Sequence, residues 1–423
     1  MRLHFEKIRG WVTPTDAFIA LYAESENAFW LDGEAASEDR FSIIGSGVPY
    51  SPSGFDELVG FEQEYDALDL PFDFRPGLLG WFDFELKEPA LLKVGSALVF
   101  DHAQRQLYFI AKADSDSKFR HWLDAALLRI GLIGGEQLKY LASKPDPAIT
   151  SVTFRHSDSE YLDLIRRVKH HIAVGDVYQL CLTNEITLEG LADPLSTFIR
   201  LRTNNPAPYS GYLRIGSKVL VSSSPEQFLK VTSDGRVSTK PIKGTRRRDE
   251  TELIDRAIAD ELANNVKERS ENLMIVDLMR NDLSRVCEPD SVRVDSLFAI
   301  ESYQTVHQLV STVSGQLRGD QTAIHALSAA FPGGSMTGAP KQKAVELIRE
   351  LELGERGIYS GVFGYLGDNG TANFGMVIRS LVFNGEKITL GVGGGITIDS
   401  DAEAELEETK LKAKALLRAL LVA

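Results

Sequence analysis

Gln227-Phe228-Leu229-Lys230-Val231, then Thr232-Ser233-Asp234-Gly235, then Arg236-Val237-Ser238-Thr239 reads as two short strands reversed by a four-residue turn. The same pattern returns at Leu381-Val382-Phe383-Asn384-Gly385-Glu386-Lys387-Ile388-Thr389-Leu390, where Asn-Gly between alternating runs marks a hairpin. Strands joined by such tight turns pair antiparallel. After residue 150, strand-like and helix-like runs alternate without the regular beat of a βαβ barrel, so the expected class is α+β with extensive antiparallel sheet. Carrying the period-2 alternation onward puts Val237, Thr239, Pro241 and Lys243 on one face, with Pro241 at an edge or a strand end. Lys243, in Lys240-Pro241-Ile242-Lys243-Gly244-Thr245-Arg246, thereby becomes a candidate amine nucleophile. An arbitrary lysine is ordinarily a solvated surface residue.

Working outward, Leu141-Ala142-Ser143-Lys144-Pro145-Asp146-Pro147-Ala148 contains two prolines and no periodic apolar pattern, which suggests a boundary. It separates a sheet-rich part, residues 1–145, from a larger part, residues 150–423. The first contains strand-like Phe29 to Asp32, Phe41 to Gly45 and Ala97 to Phe100, and an amphipathic helix near Lys118 to Leu128. Gly131-Leu132-Ile133-Gly134-Gly135 reads as a helix exit.

The 423 residues are 43% hydrophobic and 25% charged, enough to bury a large core. A net charge of -14 disfavours nucleic acid and anionic membranes as partners, and requires a local cation or metal for any anionic substrate. Cys181 and Cys287 are distant in sequence and lack CxxC spacing, which fits a reducing cytoplasm and no structural zinc. The charged start and the lack of any 18-residue apolar run predict neither signal peptide nor membrane span.

Glu268 and Glu271 stand at i, i+3 and share a helix face, and Glu405 and Glu408 repeat that spacing, with Lys412 one turn on. If the helices meet, the two pairs would suit a Mg²⁺ with open positions; equally, such pairs serve as ordinary helix surface. Gly391-Val392-Gly393-Gly394-Gly395-Ile396 leads into another β-like run, so it opens no helix as a dinucleotide fingerprint would. It reads as an amide cradle for a carboxylate or as a glycine bulge. Phe331-Pro332-Gly333-Gly334-Ser335-Met336-Thr337-Gly338-Ala339-Pro340-Lys341 fails phosphate-loop spacing. It leads instead into a helix with Pro340 in its first turn and Ala344, Leu347, Ile348 and Leu351 as its core stripe.

Taken in order, these segments resemble the chorismate-utilising enzymes. The resemblance runs through Gly175 to Gln179, Ser224-Pro225-Glu226, Pro241 to Thr245, Glu271 to Asp277, Arg280-Asn281-Asp282, His307, Gly338 to Lys341, Arg379, Gly393 to Ile396, and Asp399 to Lys412. It is looser before residue 150, through Asp39 to Gly45, Gly77 to Gly80 and Phe100 to His102. It implies two antiparallel sheets packed face to face and flanked by helices, with chorismate and Mg²⁺ between them. Glutamates matching Glu271 and Glu408 would hold the metal, with those matching Glu268 and Glu405 nearby through water. The ligand would be met by residues matching Thr245, Tyr359, Arg379, Lys412 and the amides of Gly393, Gly394 and Gly395.

Relatives that add water carry a basic lysine where this chain has Gln179, which cannot act as a base. Relatives that form anthranilate or isochorismate carry alanine where it has Lys243. The lysine form is similar to the aminodeoxychorismate-forming branch, in which the amine adds to chorismate C2 as the C4 hydroxyl departs, and ammonia then displaces it at C4. This demands a lysine pKa below the ordinary value of about 10.4. The proton donor would be the histidine matching His307 or the glutamate matching Glu226. The expected activity is Mg-dependent amination of chorismate in p-aminobenzoate and folate synthesis, with anthranilate formation as the alternative. Because the chain carries no Cys-His pair of a glutamine-hydrolysing site, ammonia is expected from a separate glutamine amidotransferase subunit. A tryptophan site in the N-terminal part, as in feedback-regulated relatives, is left open.

Overall fold

The computed structural model describes residues 1–35, 40–61, 68–131 and 134–422. Asp39 of the first motif and Leu132-Ile133 of the expected helix exit lie outside the described residues. A 12-stranded and a 10-stranded sheet, antiparallel throughout their pairings, form the centre. Phe29, Ile43, Leu213 and Leu220 of the larger sheet pack against Leu79, Trp81, Phe363 and Tyr365 of the smaller. Helices cover the outer faces. Phe18, Phe119, Phe198 and Leu416 close over the larger sheet, and Ile275, Met279 and Leu327 over the smaller. The α+β architecture of two facing sheets is therefore as expected.

Both hairpins form. Gln227–Val231 pairs with Arg236–Lys240, and Ser380–Asn384 with Lys387–Ile396, whose turn includes Gly385 at φ 63°. Val237, Thr239 and Pro241 share a buried face as the alternation requires, and Pro241 falls between two strands, where its missing N–H costs no ladder bond. The helix carrying Ala344, Leu347, Ile348 and Leu351 runs Lys341–Leu351 and buries all four. Pro340 is its N-cap in extended conformation, one residue before the expected first turn.

Strands from before and after the Leu141–Ala148 connection share both sheets. Ala28–Asp32 pairs with Tyr209–Ile215 in the larger, and Gly77–Phe82 with Val362–Gly367 in the smaller. No described helix is long and apolar enough to cross a membrane.

Candidate active site between the sheet edges and two acidic helices

Five elements bring the predicted residues together. The strand Ile242–Arg247 carries Lys243 and Thr245. The paired strands Gln179–Leu191 and Lys387–Ile396 set Cys181 opposite Gly395 and Thr183 opposite Gly393. The helices Val266–Ser284 and Ala402–Ala419 carry the glutamate pairs.

Lys243 is the centre. Its side chain is 12% exposed, and its Nζ lies 3.4 Å from Glu271 Oε2. A Cβ on Gly395 would come within 2.9 Å of that Nζ and collide with the Gln179 amide, so glycine is what admits both groups. Gln179 is buried, and neither side-chain amide atom has a hydrogen-bond partner among the described residues. Burial acts to lower the Lys243 pKa, but Glu271, Cys181 and Glu226 outweigh it and hold the pKa above the ordinary value. With those groups beside it the residue is an ammonium, the reverse of what a nucleophile requires. Its sequence neighbours do not compensate, because Lys240 pairs with Glu301 and Arg246 with Glu261 and Glu268.

Each of the four helix glutamates is answered by a cation. Lys267 lies 3.1 Å from Glu405 and 3.9 Å from Glu271, bridging the two helices. Lys412 lies 2.8 Å from Glu408, and Arg246 3.3 Å from Glu268. Burial nonetheless lifts the Glu271 pKa, against both Lys243 and Lys267. A buried carboxylate still short of positive charge, with three others on the two helices, offers the oxygen donors that a hard divalent cation takes, but among the described residues no three of these carboxylates converge within 4.8 Å as Asp32, Glu34 and His102 do. Glu408, half-exposed, is held below the ordinary range despite desolvation, chiefly by Lys412.

The residues predicted to meet the ligand differ in burial and in partners. Arg379 has a left-handed backbone at φ 50° and is partly buried; burial pushes its pKa down against Tyr359 and Glu408. Tyr359 lies against Gly391, where any Cβ would clash with its ring, and burial raises its pKa. Lys412 donates to the Gly393 carbonyl at 2.8 Å, and Gly394 faces the Glu405 carboxylate. Thr245 is exposed and follows a register shift at Gly244.

The two proposed acids differ. Glu226 is buried and hydrogen-bonded to Ser335, and burial pushes its pKa up to about 7 even though Ser335 and Lys243 pull it down. His307 is buried with both ring nitrogens engaged, one 2.7 Å from Ser302 Oγ and the other 2.8 Å from Asp255 Oδ1. Asp255 is held well below the usual carboxylate range, first by Arg248.

Sequence reasoning missed Ser335, Lys267 and Asp255. Ser335 stood inside a stretch read only for its glycines, and Lys267 looked like one more charge on a helix surface. Two of the quoted motifs turn out to be a brace: Lys341 donates to Asp282 at 2.6 Å and to the Ala330 carbonyl at 2.8 Å, tying one helix to the start of another. Away from Lys243, a cavity of about 90 Å³ opens between the sheets, with Leu31, Phe41, Tyr209, Lys240 and Phe363 in its walls.

The sequence signature described as "chorismate binding enzyme" matches residues 60–418. The chain therefore belongs to the chorismate binding enzyme family. It is 37% identical to an aminodeoxychorismate synthase of Streptomyces pristinaespiralis, over 99% of this chain and 65% of that protein. It is 34% identical to anthranilate synthase component 1 of Mycolicibacterium smegmatis, over 97% of this chain and 89% of that one. Among solved structures, anthranilate synthase component I from Streptococcus pneumoniae superposes with a TM-score of 0.79 at 26% identity, covering 89% of this chain and 92% of that. The chain spans 41 to 65% of the length of the aminodeoxychorismate synthases it matches.

Proposed function

We propose that this chain aminates chorismate at C4 with ammonia, forming aminodeoxychorismate on the route to p-aminobenzoate and folate in the cytoplasm. The observation that carries the reading is Lys243: a nearly buried amine beside Glu271 and close to Gly395 and Gln179, the last of which stands where the resemblance puts the base of water-adding relatives. Resemblance to aminodeoxychorismate synthases supports it.

In this reading Arg379, Lys412, Tyr359, Thr245 and the amides of Gly393 to Gly395 hold the two carboxylates of chorismate. Mg²⁺ at Glu271 and Glu408, with Glu268 and Glu405 behind them, would supply positive charge for one carboxylate and draw the charge of Glu271 away from Lys243. The neutral amine of Lys243 then adds at C2 while the C4 hydroxyl leaves, both ring double bonds shifting, C1=C2 to C1=C6 and C5=C6 to C4=C5. Glu226, whose burial raises its pKa to about 7 so that a large share is protonated near neutral pH, gives that hydroxyl its proton. Ammonia, delivered by a separate glutamine amidotransferase, displaces Lys243 by the reverse shift.

Mass spectrometry of the product from chorismate, ammonium and Mg²⁺ tests this. The expected product keeps its enolpyruvyl group; an aromatic product with pyruvate released would instead assign anthranilate synthesis, the reading that the anthranilate synthase relatives favour. With ammonium at alkaline pH the isolated chain should turn over, whereas glutamine should serve only after the partner is added.

A further inference from the structure

Arg356 lies outside every group assigned above and is almost wholly enclosed, its side chain 1% exposed beside Glu352 at 0%. A guanidinium has five N–H donors in a fixed plane, and here all five find acceptors. Nε reaches Glu352 Oε2 at 2.9 Å and Nη2 reaches Glu352 Oε1 at 2.6 Å. Nη2 also donates to the Cys181 carbonyl at 2.8 Å, and Nη1 to the Met336 carbonyl at 2.5 Å and Ser360 Oγ at 3.3 Å. Glu352 in turn accepts from the Thr183 amide at 2.8 Å, and the Phe84 ring lies 4.7 Å from the guanidinium carbon.

Each tethered segment carries a site residue one or two positions away. Cys181 and Thr183 belong to the strand that begins at Gln179 and pairs with Gly395 and Gly393. Met336 follows Ser335, the partner of Glu226. Ser360 follows Tyr359. Fold integrity alone does not call for a buried ion pair, since well-packed apolar residues often do as well, but a rigid fork can fix several backbones at once.

We infer that Arg356 is a positioning residue for the chorismate pocket, its fork setting the mutual placement of Gln179, the glycine cradle, Ser335 and Tyr359. This rests on the function proposed above. Two variants test it. Arg356→Lys keeps the charge beside Glu352 but loses the fork; the double variant Arg356→Met, Glu352→Met removes the pair together. Chorismate Kd, by calorimetry with Mg²⁺, and KM in the ammonia reaction are measured well below each variant's melting temperature, with the folded fraction checked by circular dichroism. Both constants should rise about tenfold or more, because displacements of an ångström in a binding wall have effects of that size. A merely structural role would lower the melting temperature and leave both constants alone. Wild-type Kd and KM in either folded variant would overturn the inference. Wild-type protein that does not bind chorismate at all would instead overturn the proposed function, and this inference with it.

Discussion

Arg356 and Lys243 are both cations set beside a buried glutamate, in neighbouring regions, and they have opposite surroundings. Around Arg356 every donor is matched and both carboxylate oxygens of Glu352 are engaged. Around Lys243 one carboxylate stands at 3.4 Å, and the adjacent Gln179 side-chain amide has no hydrogen-bond partner among the described residues. Buried polar groups are ordinarily satisfied, and the closed node obeys that rule. The open one holds unspent hydrogen-bonding capacity, which a substrate can use. The difference between a brace and a reaction centre lies in what is left unsatisfied, since the charges are alike.

The sharpest way to break that contrast is Lys243→Ala. Turnover with ammonia should fall about a thousandfold or more while the fold survives, followed by product mass spectrometry and circular dichroism. Aminodeoxychorismate formation near the wild-type rate would return Lys243 to a positioning role; a substrate adduct on its peptide would support covalent attack. Next, Glu271→Gln or Glu408→Gln should remove Mg²⁺ binding in a calorimetric titration and abolish turnover, as should excess EDTA. Full activity in EDTA would sink the metal reading.

Glu226→Gln separates chemistry from stability. As the proton donor, Glu226 should cost about 10²- to 10⁴-fold in kcat when replaced, and wild-type kcat should fall as pH rises through about 7. The stability effect has the opposite sign. A carboxyl whose pKa is raised from 4.5 to about 7 on folding contributes stability below pH 4.5 that is lost as pH climbs through 7. Glu226→Gln should therefore melt higher than wild type at pH 8, and equal melting curves there would contradict the burial argument. The smallest effect on activity belongs to Lys341→Met. It leaves Asp282 without its partner and should cost about 3 kcal/mol of stability, seen in denaturant unfolding, with kcat per folded molecule unchanged. A large loss of kcat would move this motif from brace to site.

Much of this was legible in the sequence because it is periodic. Alternation placed Val237, Thr239 and Pro241 on one face, and the i, i+3 spacing put Glu268 with Glu271 and Glu405 with Glu408. What no period encodes is which charge finds which partner. Glu352 and Arg356, four apart, look like an ordinary exposed helical pair yet are sealed in the interior. His307 carried the outline of an acid but meets Asp255 from a helix about fifty residues away. The raised pKa of Lys243 likewise depends on Glu271 and Glu226 arriving from other elements.

The sharing of both sheets across the Leu141–Ala148 connection bears on how the chain is made. As residues leave the ribosome in order, Ala28–Asp32 and Gly77–Phe82 wait for neighbours near residues 210 and 364 before their outer edges are covered. Such long-range pairing is slow to form and leaves strand edges open to other chains meanwhile. A nascent chain stalled at that connection would be an aggregation hazard, and synthesis has to pass residue 364 before both strands can find their partners.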